Sequence, residues 1–237
     1  MAEVVEQVKV AVRPGVSARE LDTIAEKAIR EGGDEPAFLG YTPSDAPRPF
    51  PATLCVSVND EVVHGIPNEK EKILNEGDIV GLDLGLKHGG LFVDMAVTVP
   101  VGVVDDTSHH LIETTKRALV VGIGACRSGN RVRDIGCAVE AFVKPYGYGI
   151  VEELGGHGVG HKVHEEPHIS NFCVKGKSSV LKSGMVLALE PMLNEGTKHV
   201  VLDSDGYTYR TVDRKRSAHF EHTVLITDAG PEVLTKL

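Results

Sequence analysis

The sequence predicts a mixed α/β fold, and three observations support this prediction. Helix signals stand near the N-terminus and again in the middle of the chain, strand-rich segments alternate with them, and two strand-rich segments resemble each other. The 237 residues are 41% hydrophobic and 25% charged, which suits one sizeable globular domain or two halves that share a core. We therefore expect a single domain over residues 1–237, with similar halves at approximately residues 17–125 and 126–237.

Capping residues and helical spacing predict the helices. Ser17 and Glu20 form the S-x-x-E pattern of a capping box, apolar residues follow with helical spacing, and a glycine pair starting at Gly32 ends the helix. A second helical pair is predicted at residues 108–121 and 132–143. The predicted helices therefore fall in both halves of the chain.

Apolar runs bounded by turn residues predict the strands. Short strands start at the sequence TLCVSVN, which follows a proline-rich loop at residues 41–51. Residues 77–99 indicate a hairpin that turns at residues 87–90, and further strands are predicted at residues 183–193 and 218–227.

The strand-rich segments of the two halves carry acidic residues at matching positions. When the first strands of the two segments are aligned, Asp83 falls on Glu190, and the returning strands place Asp94 on Glu221. An internal duplication would explain this match, and a chance resemblance between two short segments is the alternative.

These four carboxylates lie among apolar residues, where an unpaired charge is costly. Asp83 stands between two leucines, Glu190 follows VLAL, Asp94 precedes MAVTV and Glu221 precedes HTVLI. A single acid in a strand is usually solvated or salt-bridged, but four are harder to explain in this way, and lysine is scarce inside these strands. A bound metal ion would supply the missing positive charge.

The segment GGHGVGHKVHEEPH, residues 155–168, ends in a match to the zinc-protease pattern H-E-x-x-H, which we reject. That pattern needs two histidines on one face of a helix, whereas Pro167 costs about 3 kcal/mol in a helix interior. The glycines predict a tight loop or a bulged strand on which His157 closely approaches another group, although a structural histidine is the alternative. We expect His161 and His168 to be structural or surface residues.

Composition argues against several classes of protein. No apolar run approaches the roughly 20 residues of a membrane span, and the N-terminus lacks the pattern of a signal peptide. The net charge of −9 argues against nucleic acid as the main partner. Four scattered cysteines without a CxxC pair predict free thiols in a cytoplasmic protein; they are Cys55, Cys126, Cys137 and Cys173.

Several motifs together resemble the type I methionine aminopeptidases. They are CVSVNDEVVHGIP, GLDLGL followed by FVDMAVTV, GGHGVGHKVHEEP, LEPML and AHFEHTVLIT. They occur in the order of that family and with compatible spacings, over roughly residues 17–230. The resemblance implies the pita-bread α/β fold of that family, in which two pseudo-symmetric halves surround a dinuclear metal site.

The resemblance also implies a ligand set for two divalent metal ions. The ligands would be Asp83, Asp94, His157, Glu190 and Glu221, with Asp94 and Glu221 bridging. Four carboxylates and one imidazole suit Co²⁺, Mn²⁺, Fe²⁺ or Zn²⁺, among which the sequence does not choose. A metal-bridged hydroxide would attack the first peptide carbonyl and release the N-terminal methionine of nascent proteins and peptides.

The same resemblance implies roles for residues beside the metals. Glu190 doubles as a proton shuttle, His164 contacts the substrate carbonyl and stabilises the tetrahedral intermediate, and His64 hydrogen-bonds the scissile amide nitrogen. Asn59 and Ser217 match positions that help to bind a monovalent cation in some members, with ordinary turn or strand hydrogen bonding as the alternative.

A buried apolar pocket for the methionine side chain is implied as well. Cys55, Tyr41 and Phe50 are its expected lining, although the proline-rich loop is longer than usual. Tyr207 stands where bacterial members often carry Trp, and Val163 stands where an aromatic residue is common. A pocket with fewer aromatic side chains predicts looser selectivity for methionine.

The implied partners are the N-termini of nascent polypeptides. A role at the ribosome is compatible with this assignment, and we expect a monomer without nucleic acid or membrane partners.

Two alternative functions stay open. Prolidase and aminopeptidase P share the fold and a similar ligand set, but they usually carry a large N-terminal domain that this sequence does not show. A binding protein without catalysis would lack some ligands, whereas all five positions here hold ligand-competent residues.

Overall fold

The helices form largely where their caps and spacing predict them. The computed structural model describes residues 1–43 and 46–236, and every structural statement below concerns these residues. The Ser17 side chain accepts a hydrogen bond from the Glu20 amide, and the Glu20 carboxylate accepts one from the Ser17 amide, so the capping box is confirmed. The helices are α1 (Ala2–Ala11), α2 (Ala18–Glu31), α3 (Asp106–Ala125) and α4 (Val132–Val143), and a 3₁₀ turn follows at Lys144–Tyr146.

Fifteen strands in the described residues form three antiparallel sheets. The strands are β1 (Glu35–Pro36), β2 (Leu54–Val58), β3 (Glu61–Val63), β4 (Ile79–His88), β5 (Leu91–Pro100), β6 (Gly149–Ile150), β7 (Gly155–Gly158), β8 (Glu165–Ser170), β9 (Val186–Leu189), β10 (Met192–Asn194), β11 (Val200–Leu202), β12 (Tyr209–Thr211), β13 (Ser217–His219), β14 (Glu221–Thr227) and β15 (Gly230–Val233). The main sheet has the order β1-β4-β5-β14-β9-β7-β8, with β2 added on β4 and β15 on β14, and the small sheets are β13-β10-β6 and β11-β12-β3.

Two local predictions about turns and bulges are confirmed. The β4–β5 hairpin turns at Gly89 and Gly90, whose φ angles of 55° and 88° suit glycine. The glycine-rich segment forms β7 and β8, with a register shift between Gly156 and Gly158. Because this segment is extended and bulged rather than helical, the rejection of the H-E-x-x-H match is also confirmed.

The two C-terminal strand segments differ from the prediction, because each of them changes sheet midway. One breaks at Glu190 and Pro191, between β9 in the main sheet and β10 in a small sheet. The other breaks at Phe220, between β13 and β14, and the Phe220 amide donates to the Pro191 carbonyl where the breaks meet. Proline has no N–H for a strand ladder, which explains why the first segment leaves the sheet at this residue.

The helices cover one face of the main sheet in two groups. Leu82 and Leu84 of β4 are fully buried in an apolar cluster with residues of α1 and α2, including Leu21. Leu187 and Leu189 of β9 are buried in a second cluster with residues of α3 and α4. Since side chains alternate along a strand, the residues between these leucines point to the opposite face, which carries the acids described below. The division into two similar halves stays a prediction.

The expectation of four free thiols is wrong for two of the cysteines. Cys137 in α4 and Cys173, just after β8, form a disulfide with a Cα–Cα distance of 4.0 Å across a sequence separation of 36 residues. The packing of α4 against β8 brings them together, which cysteine spacing alone does not reveal. Cys55 and Cys126 are free and buried. Within residues 1–43 and 46–236, no helix is long and apolar enough to cross a membrane.

Candidate metal centre

The ladder register brings the acids of the two halves to one face of the main sheet. Asp83 of β4 and Glu221 of β14 both pair with Ala96 of β5, one from each side. Residues that pair directly across a ladder point to the same face, as do residues two apart along a strand. Asp94, two residues before Ala96, therefore points to the same face of the sheet as Asp83 and Glu221.

The same register extends to the other two candidate ligands. His157 of β7 pairs with Ala188 of β9, and Ala188 pairs with Thr223 of β14, two residues after Glu221. Glu190 follows the end of β9, two residues after Ala188, and comes to the same side of the sheet. Five neighbouring strands, in the order β4-β5-β14-β9-β7, thus supply one convergent group of side chains.

Distances confirm that these five side chains surround a common space. Ligand atoms of Asp94, His157 and Glu221 all lie within 4.8 Å of one another. His157 Nε2 lies 3.5 Å from Glu190 Oε1, and Asp83 lines the same cavity as the other four. The structure therefore brings together every residue that the sequence nominated as a metal ligand.

The carboxylates of this group are buried without a protein cation. Burial raises the pKa of Asp94 to about 7, and burial together with the neighbouring acids raises the pKa values of Asp83, Glu190 and Glu221 well above their ordinary range. Asp83 Oδ1 and Glu221 Oε1 have no hydrogen-bond partner within the described residues. The ion pairs of the described chain include no lysine or arginine on any of the four acids.

The hydrogen bond of His157 fixes its tautomer and leaves a lone pair facing the acids. Its Nδ1 lies 2.8 Å from the carbonyl oxygen of Gly158, which can only accept, so Nδ1–H is the donor. Burial lowers the pKa of His157 to about 4, so near neutral pH the ring is uncharged and Nε2 carries a lone pair. When Glu190 is ionised, this lone pair meets Glu190 Oε1 as a second acceptor. A divalent cation fits the group because it would satisfy both atoms and the orphaned oxygens.

Two buried polar residues, which no sequence motif pointed out, hold the backbone of the acids. The Thr223 hydroxyl donates to the carbonyl of Asp94 and accepts from its amide, both at 2.8 Å. The Asn171 side-chain amide donates to the carbonyl of Glu190 at 3.0 Å. Both contacts join residues far apart in sequence, so neither is visible as a local pattern.

The two predicted non-ligand histidines line the same cavity, which has a volume of about 670 Å³. His64 has a φ of 58°, and the adjacent Gly65 has no room for a side chain, since a Cβ would stand 2.2 Å from the carbonyl oxygen of Val56. His164 packs edge-on against His157 with ring centroids 4.4 Å apart, and its Nδ1 lies 2.9 Å from the Tyr41 hydroxyl.

The predicted pocket residues form an apolar wall beside these histidines. Tyr41, Phe50, Cys55 and Tyr207 all line the cavity. Tyr207 packs edge-on against Phe50 with ring centroids 5.1 Å apart. Val163 is buried in the same apolar cluster but is not among the residues that line the cavity. Further lining residues that the sequence did not reveal include Phe38, Leu154, Leu202 and Tyr209.

The residues predicted to bind a monovalent cation make ordinary hydrogen bonds, and part of the proline-rich loop is not described. Ser44 and Asp45 of the loop lie outside the described residues. Asn59 accepts from the Ile79 amide and donates to Asp78 through its side chain, and its carbonyl accepts from the Ser217 amide. These bonds fit the alternative of ordinary hydrogen bonding, and the cation site stays a prediction.

Comparison with known proteins shows that this chain is similar to metallopeptidases in both sequence and fold. The chain matches metallopeptidase family M24 over residues 1–228. It is 45% identical to a methionine aminopeptidase of Aquifex aeolicus, covering 100% of this chain and 92% of that relative. It is 41% identical to methionine aminopeptidase 1 of Bacillus subtilis, covering 98% and 90% of the two chains.

Solved structures agree with this assignment. The methionine aminopeptidase from Thermotoga maritima has a TM-score of 0.94 and 39% identity, covering 100% of this chain and 92% of that chain. A prolidase from Pyrococcus furiosus has a TM-score of 0.76 at 24% identity, covering 100% of this chain and 60% of that chain, which shows the shared fold alone. The predicted pita-bread fold is confirmed.

Proposed function

The chain belongs to metallopeptidase family M24 and is a metal-dependent aminopeptidase that removes N-terminal methionine, and from this premise we propose how its residues perform that reaction. The ligands of the proposed centre are Asp83, Asp94, His157, Glu190 and Glu221. We propose that these five residues would together hold two divalent ions, with Asp94 and Glu221 among the closely grouped ligand atoms.

The burial of four acids without a protein cation is the single observation that carries this proposal. Such a group is unstable when all of its members are ionised and metal-free. Divalent ions held there would supply an activated water and polarise the scissile carbonyl. The donor set suits Co²⁺, Mn²⁺, Fe²⁺ and Zn²⁺.

Glu190 is the proposed proton shuttle. It lies in the cavity wall, and its burial raises its pKa, which favours a carboxylate that can take up a proton during turnover. His157 is unsuited to this task because its Nδ1–H is bound to a backbone carbonyl and its Nε2 faces the acids.

His64 and His164 are the proposed substrate-binding histidines. His164 would donate through Nε2 to the substrate carbonyl as negative charge develops there, and the Tyr41 hydroxyl 2.9 Å from Nδ1 is able to donate to that nitrogen in this tautomer. His64, which lines the same cavity, would hydrogen-bond the scissile amide nitrogen. Both residues would orient the substrate and stabilise its developing charge, because neither is one of the five proposed metal ligands.

The apolar wall is proposed to bind the methionine side chain. Phe50, Cys55 and Tyr207 are buried, and together with Tyr41 they offer aromatic and sulfur surfaces that suit a thioether. The Tyr207 hydroxyl donates to the backbone carbonyl of Arg48, which holds the ring in place and removes its polar atom from the pocket. Selectivity would therefore depend on shape and dispersion.

The proposed substrates are the N-termini of nascent polypeptides, which would place the enzyme in the cytoplasm. Free thiols were one reason to predict a cytoplasmic location, and the disulfide between Cys137 and Cys173 weakens that reason. The proposed location therefore depends on the proposed substrate. Association with the ribosome and a monomeric state stay predictions.

Peptide cleavage with defined metals tests the proposal. Chelated protein would be re-supplied with each of the four divalent ions and given Met-Ala-Ser or an Xaa-Pro peptide. We expect no turnover without metal, recovery with at least one ion, and release of methionine from Met-Ala-Ser only. Cleavage confined to Xaa-Pro substrates would instead favour a prolidase-like specificity, and metal binding without any turnover would favour a binding protein.

A further inference from the structure

A fourth histidine, His219, stands behind the acids and has no role in the scheme above. His219 ends β13 and is only 3% exposed. Its Nε2 is buried without a hydrogen-bond partner in the described residues and lies 3.7 Å from Glu190 Oε2. A buried donor or acceptor left unmatched in this way is costly, so its proximity to a carboxylate calls for an explanation.

The two oxygens of Glu190 face two different imidazoles. Oε1 faces His157 Nε2 at 3.5 Å, and that nitrogen carries a lone pair because the proton is on Nδ1. Oε2 faces His219 Nε2 at 3.7 Å. One side of the carboxylate therefore meets an acceptor, where a cation would fit, and the other side meets a nitrogen that is able to donate.

The backbone of His219 is held in place, so the ring has a defined position. The His219 amide donates to the hydroxyl of Thr98, and that hydroxyl donates to the His219 carbonyl, both at 2.9 Å. His219 also pairs with Met192 of β10 in a small sheet.

We propose that His219 is a positioning residue for Glu190, with its Nε2–H donating to Glu190 Oε2. This contact needs to shorten by about 0.5 Å to enter the ordinary N–H···O range. It would hold the carboxylate with Oε1 turned towards His157, and it would satisfy both buried atoms. The inference rests on the proposed role of Glu190 in metal binding and proton transfer.

A direct ligand role for His219 fits the geometry less well. The described residues that line the cavity include Glu190 but not His219. His219 also does not belong to the group of atoms from Asp94, His157 and Glu221 that lie within 4.8 Å of one another. It stands behind the carboxylate, where a residue orients a ligand rather than contacting the ion.

Three variants separate a hydrogen-bonding role from simple packing. His219→Gln keeps an N–H donor at a similar reach, whereas His219→Leu fills the space without a donor. His222→Gln is the matched control, because His222 is a nearby histidine whose Nδ1 lies 2.9 Å from the Thr235 hydroxyl, on the opposite face of the sheet. Each chelated protein would be titrated with Mn²⁺ by calorimetry, melted thermally, and assayed for kcat and KM on Met-Ala-Ser.

We expect His219→Leu to lower Mn²⁺ affinity about tenfold and kcat between about tenfold and a hundredfold, with KM little changed. His219→Gln should stay within about threefold of the wild type in both measurements, and His222→Gln should match the wild type. The proposal is overturned if the leucine variant behaves like the wild type, or if both His219 variants lose equal affinity. Loss of one whole bound ion in both variants would likewise overturn it, since that result identifies a ligand.

The Mn²⁺ titration keeps this inference separate from the proposed function. If the wild type released no methionine with any ion, the proposed function would fail, yet the affinities of the variants would still test the role of His219. If the wild type is active and the leucine variant binds Mn²⁺ as tightly as the glutamine variant, the positioning role alone fails.

Discussion

At the scale of single residues, the function follows from where protons and lone pairs stand. The Nδ1–H of His157 donates a hydrogen bond to a backbone carbonyl, so the lone pair on its Nε2 is available to bind a metal. His164 instead has its Nδ1 beside the Tyr41 hydroxyl, which suits a ring that donates to substrate. Two histidines with ring centroids only 4.4 Å apart are thus proposed to have different tasks, and the different partners of their Nδ1 atoms support this proposal.

A first prediction concerns His64. His64→Ala should reduce kcat/KM for Met-Ala-Ser by about a hundredfold while metal content stays near normal, since His64 is proposed to contact substrate and not metal. Elemental analysis and steady-state kinetics measure the two effects. His161→Ala, at an exposed position, is the control. Equal losses of metal and activity would contradict the assigned role.

A second prediction concerns the selectivity of the pocket. We expect the wild type to prefer Met-Ala-Ser over Leu-Ala-Ser by only about tenfold, because a pocket that selects by shape and dispersion discriminates weakly between side chains of similar size. Val163→Phe should increase that preference several-fold. Val103→Phe, at a position that is 80% exposed, should leave the ratio unchanged. A wild type that cleaves only methionine peptides, and does not cleave norleucine peptides, would contradict the prediction of loose selectivity.

At the scale of elements, strand register assembles the site. Asp83, Ala96 and Glu221 form one row across β4, β5 and β14, so a slip of one residue in any of these strands would turn an acid to the helix-covered face. The Thr223 hydroxyl, bound to both the amide and the carbonyl of Asp94, helps to prevent such a slip between β5 and β14.

A third prediction concerns the disulfide that ties α4 to the end of β8. Cys137→Ser combined with Cys173→Ser should lower the free energy of unfolding by about 2–4 kcal/mol, because the crosslink restrains a long loop in the unfolded chain. Urea denaturation of the wild type with and without reductant measures this. Reductant should bring the wild type close to the double variant and leave that variant unchanged, and equal effects on both proteins would contradict the prediction.

At the scale of the whole molecule, the helix-covered face of the sheet stabilises the fold and the other face carries the chemistry. Two apolar clusters, one with α1 and α2 and one with α3 and α4, support the same sheet from one side. The stability that they provide allows four acids to be buried on the opposite side, where the metal-free protein has to tolerate their mutual repulsion.

A fourth prediction is that the chelated protein becomes less stable as pH rises above 6.5. The pKa of Asp94 is raised to about 7 in the folded state, and those of Asp83, Glu190 and Glu221 are raised well above their ordinary values, so the unfolded chain loses these protons first. Stability that is present below the ordinary carboxylate pKa is therefore lost as pH rises towards the folded values.

The buried histidines set the lower limit of this pH window, because their pKa values are lowered and they oppose the trend at acidic pH. Above pH 6.5 they are mostly neutral in both states. Urea denaturation in chelator at pH 6.5, 7 and 8 should show a decline, at about 1.4 kcal/mol per pH unit for each titrating carboxylate. Asp83→Asn should make the decline shallower, and added Mn²⁺ should reverse it. A chelated protein that gains stability over this range would contradict the raised pKa values.

Sequence patterns were informative where a local rule applies. The Ser17 capping box, the glycine turn at residues 89–90, and the rejection of a helix at Pro167 all depend on neighbouring residues, and all are confirmed. The resemblance of the motifs to a family also located every candidate ligand on one cavity. The sheet change at Pro191 was missed, since a strand pattern does not say which sheet a strand joins.

By itself, the sequence determined which residue types are available: acids within apolar strands, a histidine between glycines, and helices with definite caps. Only the tertiary structure decided the disulfide between Cys137 and Cys173, the contact of His219 with Glu190, and the support from Asn171. The physical reason is range. Caps and turns are satisfied within a few residues, whereas these contacts join distant segments whose approach depends on the packing of the whole sheet.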